Sequence, residues 1–302
     1  MTDTNISWRH QRRIELTRDE IVMPDVAYFG RYNYSHAAPA LPIHAHQQCM
    51  EFCFLLRGRQ TYRVGKRTHK LTGGDIFVTF PDEPHDTAGT PEEKGVLYWV
   101  IIRIPPANEE FLGLNHTQGA ALRTALLNLP ARQFRAPKDI ALHLDTLMQE
   151  HFNPPSPLRA VRFQNLLVAL LLEVVQAAAQ RNRRPSRGHA TLNRLKAMIE
   201  SSLSNPVSIS TLAETAGLSV PRFKVWFREQ TGVPPGEYIL RRRVEEACRL
   251  LTDTKTRITD LGYTMGFSSS QYFATVIKRY TGLTPKQVRQ LEKPPVAKIA
   301  AC

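Results

Sequence analysis

The chain has 302 residues, about twice the length of an ordinary domain, which predicts two domains. Hydrophobic residues form 42% and charged residues 22% of the chain, a balance that excludes a mainly disordered or collagen-like protein. The longest apolar run, 166–172, has 7 residues, so we expect no membrane partner. Residues 1–13 lack the apolar stretch of a signal peptide and the four cysteines are scattered, so we expect a cytoplasmic protein with reduced thiols.

The positive charge is concentrated in the last part of the chain. Residues 1–180 contain 19 basic and 18 acidic residues, whereas residues 181–302 contain 21 basic and 9 acidic residues. Nearly all of the formal net charge of +13 therefore lies after position 180. A compact basic region predicts a polyanionic partner such as nucleic acid, and the simpler alternative is a basic surface that maintains solubility.

Short strands are predicted in the first hundred residues, where apolar and polar residues alternate between turn residues. Gly65-Lys66 is typical of a two-residue hairpin turn. The pattern indicates an antiparallel barrel or sandwich. The predicted strands are 51–56, 61–64, 68–71, 75–80 and 95–104.

Helices are predicted after Pro105-Pro106, at 118–129, 138–152 and 158–180. The third helix is so apolar that we expect its surface to be buried, either within this domain or against a second copy of the chain. In a homodimer of that kind, Leu167 and Leu171 would lie in the interface. The polar and basic segment 181–188, broken by Pro and Gly, is the predicted linker.

The C-terminal part contains an internal repeat. Each copy reads as a short helix, a turn at a glycine and a second helix, which is a helix-turn-helix unit. A 17-residue helix, 237–253, separates the copies. A plain helical bundle is the alternative, and the duplication together with the basic charge weakens it. The matching motifs are Leu212-Ala213 with Leu261-Gly262, Gly217-Leu218-Ser219 with Gly266-Phe267-Ser268, and Thr231-Gly232 with Thr281-Gly282.

The second helix of each copy has an outward face that can enter a DNA major groove. Ser268 and Gln271 form a predicted capping box where the later of these helices begins. Gln pairs with adenine, Lys with guanine or phosphate, and the methyl groups of Val225 and Thr275 match thymine methyl groups. The candidate DNA-binding residues are Pro221, Lys224, Val225 and Arg228 in the first copy and Ser269, Ser270, Gln271, Ala274, Thr275 and Lys278 in the second.

Three motifs in this part carry a family resemblance. They are Glu245-Glu246-Ala247-x-x-Leu250-Leu251, Gly266-Phe267-Ser268-x-x-x-Tyr272-Phe273 and Lys278-Arg279-Tyr280-Thr281-Gly282-Leu283-Thr284-Pro285 followed by Arg289. Residues 192–291 resemble the AraC/XylS family of transcription regulators. Gly262 stands where an alanine is usual and Ile277 where a phenylalanine is usual. The first recognition helix departs further from the family pattern, at Pro221 and Val225.

A second resemblance lies in the N-terminal half. His44-x-His46-x4-Glu51-x6-Gly58, followed by Gly74, Pro81 and His85, resembles the two cupin motifs. We expect His44 and His46 on one face of a strand and Glu51 on the next strand, after a turn near Gln47-Gln48. Three imidazoles and one carboxylate can hold a divalent transition metal, line an effector pocket or play a structural role. The pattern departs at Glu83, which replaces a glycine.

These resemblances imply an α+β chain: an N-terminal cupin-like antiparallel β-barrel (about 20–105) with helices (110–180), the linker, and an all-α double helix-turn-helix domain (189–302). We expect a ligand-responsive, sequence-specific transcription regulator without enzymatic activity. Its expected partners are double-stranded DNA, a small-molecule effector, a second copy of the chain and RNA polymerase. No cofactor is required, although His44, His46, Glu51 and His85 are candidates for effector or metal binding. The alternative is a metal-dependent cupin oxygenase or isomerase with a basic tail.

Overall fold

The computed structural model describes residues 7–21, 23–180 and 188–291. The chain divides into two compact units. The first comprises Met1–Tyr34, Pro42–Asp86 and Gly95–Arg183, and the second comprises Ser35–Leu41, Thr87–Lys94 and Arg184–Cys302. The predicted linker lies outside the described residues except for Gly188, where a helix begins.

The N-terminal unit contains strands followed by helices. Its elements are α1 (Ser7–His10), β1 (Arg13–Thr17), β2 (Val26–Tyr34), β3 (Cys49–Arg57), β4 (Arg59–Val64), β5 (Arg67–Thr72), β6 (Asp75–Thr79), β7 (His85–Asp86), β8 (Gly95–Arg103), α2 (His116–Leu127), β9 (Gln133–Arg135), α3 (Ile140–Phe152) and α4 (Arg159–Ala179). The predicted hairpin is confirmed, since Val64 pairs with Arg67 across Gly65-Lys66 and Gly65 has a φ of +56°.

The strands form two antiparallel sheets, one in the order β1-β2-β8-β3-β6-β9 and one in the order β5-β4-β7. The predicted antiparallel, cupin-like β domain is confirmed, but its two sheets do not close into a barrel, since no hydrogen-bonded ladder joins them in the part of the chain that the structure describes. The physical reason is local. Strand β7 has only 2 residues, and residues 42–47 contribute a single isolated bridge instead of a strand. The predicted order of an antiparallel β domain before a helical domain is confirmed.

Helix α4 packs its apolar side on the larger sheet and on helices α2 and α3. Leu167 and Leu171 are fully buried in this core, so their predicted place in a dimer interface is wrong. The helix turns every 3.6 residues, which brings both leucines onto the inner face. Leu158, Val161 and Leu172 lie on the opposite face and are about half exposed. By length and composition helix α4 could cross a membrane, a property that it shares with core helices of soluble proteins.

The C-terminal unit is built mainly from short helices. They are α5 (Gly188–Glu200), α6 (Ile209–Thr215), α7 (Val220–Thr231), α8 (Pro235–Asp253), α9 (Ile258–Thr264), α10 (Ser270–Thr281) and α11 (Pro285–Arg289). The pairs α6–α7 and α9–α10 are the two predicted helix-turn-helix units. Phe223 and Phe227 are buried in the core of the first unit, and Phe273, Val276 and Ile277 in that of the second.

Glycines terminate the short helices at equivalent positions. Gly217 and Gly266 in the turns have φ values of +67° and +72°, a conformation that carries little penalty only for glycine. Thr284 and Gln287 form a capping box where α11 begins. The capping box predicted at Ser268 and Gln271 is wrong, because Ser269 is the N-cap of α10 and accepts a hydrogen bond from Tyr272 N.

Gly262 permits the close crossing of α9 and α10. A Cβ atom at this position would lie 3.2 Å from Cβ and Cγ of Phe273. We expect Gly262→Leu to lower the free energy of unfolding by about 1–3 kcal/mol, since overpacking outweighs the gain of about 1 kcal/mol in helix propensity. Urea denaturation followed by circular dichroism measures this, with Tyr263→Leu at the exposed neighbouring position as the matched control. Equal stability of both variants would contradict the close crossing.

Candidate effector site and DNA-binding face

Four side chains of the N-terminal unit converge as the sequence predicted: those of His44, His46, Glu51 and His85. Their potential ligand atoms all lie within 4.8 Å of one another. Glu51 lies on β3 and His85 on β7, whereas His44 forms an isolated bridge with His85 and His46 follows in irregular backbone. The predicted strand carrying His44 and His46 is therefore wrong, but the predicted turn at Gln47-Gln48 is present. The bridge to β7 brings His44 close to His85, as the predicted strand would have done.

Glu51 is the centre of this histidine cluster. Its Oε2 lies 2.9 Å from Nε2 of His85 and 3.8 Å from Nε2 of His46. The ring of His44 lies 4.3 Å from that of His85 and 5.1 Å from that of His46, measured between centroids. The Glu51 and His85 side chains are nearly buried, whereas His46 is partly exposed. The cluster is therefore closed on the Glu51 side and reachable past His44 and His46.

Backbone carbonyls fix the orientation of two of the imidazoles. His44 Nδ1 lies 2.8 Å from the Pro42 carbonyl oxygen, and His85 Nδ1 lies 2.9 Å from that of Glu83. Because a carbonyl only accepts, both Nδ1 atoms carry the proton and both Nε2 atoms are turned toward the cluster. Nε2 of His46 is buried and has no hydrogen-bond partner among the described residues. The cluster thus presents the Nε2 of His46 as a nitrogen that no hydrogen bond among the described residues engages, whereas that of His85 contacts Glu51.

The carboxylate and the imidazoles shift the pKa values of one another. Burial alone would raise the pKa of Glu51, but the hydrogen bond from His85 and the three imidazoles lower it overall. Burial likewise opposes the charge on His85, yet its hydrogen bond to Glu51 raises the pKa of His85. The pKa of His46 is lowered, chiefly by burial. The shifts thus favour the charged forms of Glu51 and His85 and the neutral form of His46.

An ion pair that the sequence reasoning missed supports this arrangement. Arg132 donates two hydrogen bonds to Glu83, at 2.8 and 2.9 Å, and Glu83 also accepts one from Phe80 N at 2.9 Å. The carbonyl of Glu83 in turn accepts from His85. Glu83 stood out only as a departure from the cupin pattern, and no local signal connected it with Arg132.

A cavity of about 840 Å³ lies beside Arg132 and is lined also by His69, Arg135 and Glu173, not by the histidine cluster.

The predicted DNA-binding residues occupy one side of each second helix. In α7, Pro221, Lys224, Val225 and Arg228 are exposed. In α10, Gln271, Thr275 and Lys278 are exposed, and Ser269, Ser270 and Ala274 are partly exposed. The Ser269 hydroxyl is engaged in capping Tyr272 N at 3.1 Å. Arg222, which the sequence reasoning missed, is also exposed in the first turn of α7.

Helix α8 separates the two recognition helices within the C-terminal unit. It has 19 residues, which corresponds to roughly 28 Å at 1.5 Å per residue. Arg243 on this helix donates a hydrogen bond to the Met265 carbonyl at 2.9 Å, and Arg242 forms an ion pair with Glu200 of α5. The spacer is thus tied to the turn of the second unit and to α5, which scaffolds the first.

Comparisons with known proteins identify both parts of the chain. Residues 31–211 match the AraC-like ligand binding domain, and residues 212–291 match a helix-turn-helix domain. The transcriptional activator RhaR of Escherichia coli K12 is 25% identical over 291 residues, which cover 92% of this chain and 97% of RhaR.

Solved structures give further, partial matches. An AraC-type transcriptional regulator from Chromobacterium violaceum is 26% identical over 36% of this chain and 97% of its own, with a TM-score of 0.34. An apo form of ToxT from Vibrio cholerae covers 94% of this chain and 99% of its own at 11% identity, also with a TM-score of 0.34. The ligand-binding match alone spans more than half of the 302 residues. The chain therefore belongs to the AraC family of transcription regulators and joins an AraC-like ligand-binding domain to a helix-turn-helix DNA-binding domain.

Proposed function

We propose that this regulator reads its operator through the exposed faces of α7 and α10 and responds to an effector bound at the histidine cluster. The observation that carries the proposal is the pair of equivalent helix-turn-helix units on one rigid spacer helix, in a chain that also contains the cluster. Two recognition helices on one chain can read two successive major-groove segments. Since operator DNA and RNA polymerase share the cytoplasm, the protein acts there, and polymerase is the partner through which it regulates.

Base reading and phosphate binding are divided along the recognition helices. Gln271 and Thr275 lie in the first half of α10, where side chains reach base edges in a major groove. Arg228 and Lys278 lie further along their helices and bind phosphate. The amide of Gln271 can make a bidentate pair with adenine, which is worth about 1–3 kcal/mol against the wrong base.

This division between base reading and phosphate binding predicts different effects on DNA binding for two variants of α10. Gln271→Ala should relax base preference at one operator position, whereas Lys278→Ala should weaken binding to all sequences alike and reduce the salt slope by about 1. Binding-site selection followed by salt titration measures both. A uniform loss from Gln271→Ala together with altered base preference from Lys278→Ala would overturn the assignment.

The effector is proposed to bind His44, His46, Glu51 and His85 from the side on which the two earlier histidines are partly exposed. The Nε2 of His46, which has no hydrogen-bond partner among the described residues, and the carboxylate of Glu51 offer polar contacts to a ligand. Displacing the Glu51–His85 ion pair would shift β7 against β3. The competing enzyme interpretation uses the same residues but requires turnover, and the family of the chain favours regulation.

A second occupant of the same cluster is a divalent transition metal, which the donor geometry favours. The imidazole orientation set by Pro42 and Glu83 is typical of metal-binding histidines. Ions of this kind bind imidazole nitrogen at about 2.0–2.1 Å, so donors on opposite sides of one ion lie about 4 Å apart. The donor atoms, all within 4.8 Å of one another, fit such an ion with small movements. His44, His46, Glu51 and His85 would hold it, and it would supply a Lewis-acidic point for an effector oxygen or nitrogen.

Elemental analysis of protein purified without chelator or nickel resin separates the two occupants. The effector interpretation predicts well under one metal per chain. A stoichiometric metal that disappears in His46→Ala, but persists in the matched control His36→Ala at an exposed histidine outside the cluster, would establish the metal instead.

A homodimer is proposed through the exposed face of α4 rather than through its buried one. Leu158, Val161, Asn165, Val168 and Leu172 follow one another at alternating intervals of three and four residues, the spacing of a helix–helix seam. Leu158, Val161 and Leu172 are 56%, 52% and 48% exposed, respectively. A single polar residue such as Asn165 in that row fixes the register of two paired helices.

If the exposed face of α4 forms the dimer interface, Leu172→Glu should give folded monomers, because the introduced charge would be desolvated there. Leu127→Glu, at a similarly exposed leucine of α2, is the matched control and should remain dimeric. Sedimentation at tens of micromolar measures both. A monomeric wild-type protein, or a dimeric Leu172→Glu variant, would contradict this seam.

A further inference from the structure

A short segment from the N-terminal half of the chain belongs to the C-terminal unit. Residues 87–94, here the clamp segment, are grouped with the helix-turn-helix helices together with residues 35–41. The two stretches pair with each other, since Ala38 N donates to the Glu92 carbonyl at 2.9 Å and Leu41 N to the Thr87 hydroxyl at 3.0 Å. Thr87 and Thr90 add two further hydrogen bonds from hydroxyl to carbonyl. The segment is therefore internally fixed.

Its end contacts the spacer helix α8 through a network of charged groups around the buried Arg241. Arg241 of α8 is 3% exposed and forms an ion pair with Glu93. The same guanidinium donates to the Lys94 carbonyl at 2.7 Å and to Glu237 at 3.1 Å. Lys94 Nζ lies 2.9 Å from the other carboxylate oxygen of Glu237. Two cations and two anions thus compensate one another in a site where an unpaired charge would be costly.

The network extends to the second recognition helix. The Tyr280 hydroxyl of α10 donates to Glu237 at 2.8 Å, and its ring lies under the guanidinium of Arg241 at 5.3 Å. The carbonyl of Arg279 accepts from Ala37 N at 2.9 Å. Burial favours the neutral form of Glu237, but its hydrogen bonds from Lys94 and Tyr280 and the charge of Arg241 lower its pKa overall. Glu237 therefore favours the charged form that its ion pairs with Lys94 and Arg241 require.

The position of Tyr280 on α10 determines what the network can do. At 100° per residue, Tyr280 lies on the opposite side of the helix from Gln271, Thr275 and Lys278. The clamp segment therefore binds behind the proposed base-reading face and leaves that face open. A contact at this place fixes the angle between α10 and the spacer helix without competing with DNA.

We propose that Glu93 and Lys94 are positioning residues for DNA binding, which hold the second recognition helix against the spacer helix. The inference rests on base reading by α10, proposed above. A preorganised α10 avoids an ordering cost when DNA binds, so loss of the network weakens the contacts of that helix alone.

Glu93→Gln in the full-length chain tests the proposal, because positioning and simple electrostatics predict opposite changes in DNA affinity. Removing a negative charge would by itself strengthen binding to DNA. Loss of positioning should instead weaken binding to the selected operator roughly 3- to 30-fold. Base preference should relax only in one half of the operator, the half whose base preference also responds to Gln271→Ala. Glu93→Asp should restore most of the affinity, and Glu214→Gln, an exposed charge in the same unit, should cause no loss.

Tyr280→Phe is the second variant, because it removes the hydroxyl of the network and keeps the ring in place. It should give the same half-site pattern with a smaller loss. Unchanged or tighter operator binding by both variants, or an equal loss over both halves and on random DNA, would overturn the proposal. If wild-type protein selects an operator with no half that responds to Gln271→Ala, base reading by α10 has failed instead.

Discussion

The close crossing of two short helices is the constraint on which DNA binding by this protein depends. In the second unit the helices cross so closely that a Cβ at Gly262 would lie 3.2 Å from Cβ and Cγ of Phe273, so only a small residue fits there. The turn that follows requires a positive φ at Gly266. Once these two conditions are met, Phe273 and Ile277 must face inward, and the helical period turns Gln271, Thr275 and Lys278 outward. The first unit meets the same conditions with Ala213 and Gly217, and this agreement explains why the repeat is visible in the sequence.

The N-terminal unit has a different constraint, which is the burial of the Glu51 carboxylate. Glu51 is 9% exposed and retains its charge because His85 donates to it and two further imidazoles surround it. The surrounding backbone is shaped for this purpose: the bridge between His44 and His85 and the Glu83–Arg132 ion pair hold the rings in place. The proposed effector would act by competing for this carboxylate or for the imidazoles around it.

Sequence reasoning succeeded where a short-range rule decides the outcome. The hairpin at Gly65, the outward faces of α7 and α10 and the convergence of His44, His46, Glu51 and His85 all follow from turn chemistry, helical period or motif spacing. It failed where tertiary contacts decide. Closure of the barrel depends on pairing between distant strands, and the inward face of α4 at Leu167 depends on which side the sheet lies. Two partners of Arg241, Glu93 and Lys94, are 148 and 147 residues away in the chain, and no local pattern predicts these contacts.

Equivalent helices on one chain are proposed to read two successive segments of the major groove. Hydroxyl-radical and methylation footprinting of the full-length protein on its selected operator tests this claim most directly. For each bound chain we expect two groups of protected guanines or adenines about 10 base pairs apart on one face of the duplex. Protection of a single groove segment per chain, or protection of the sugar–phosphate backbone without any base contact, would contradict it.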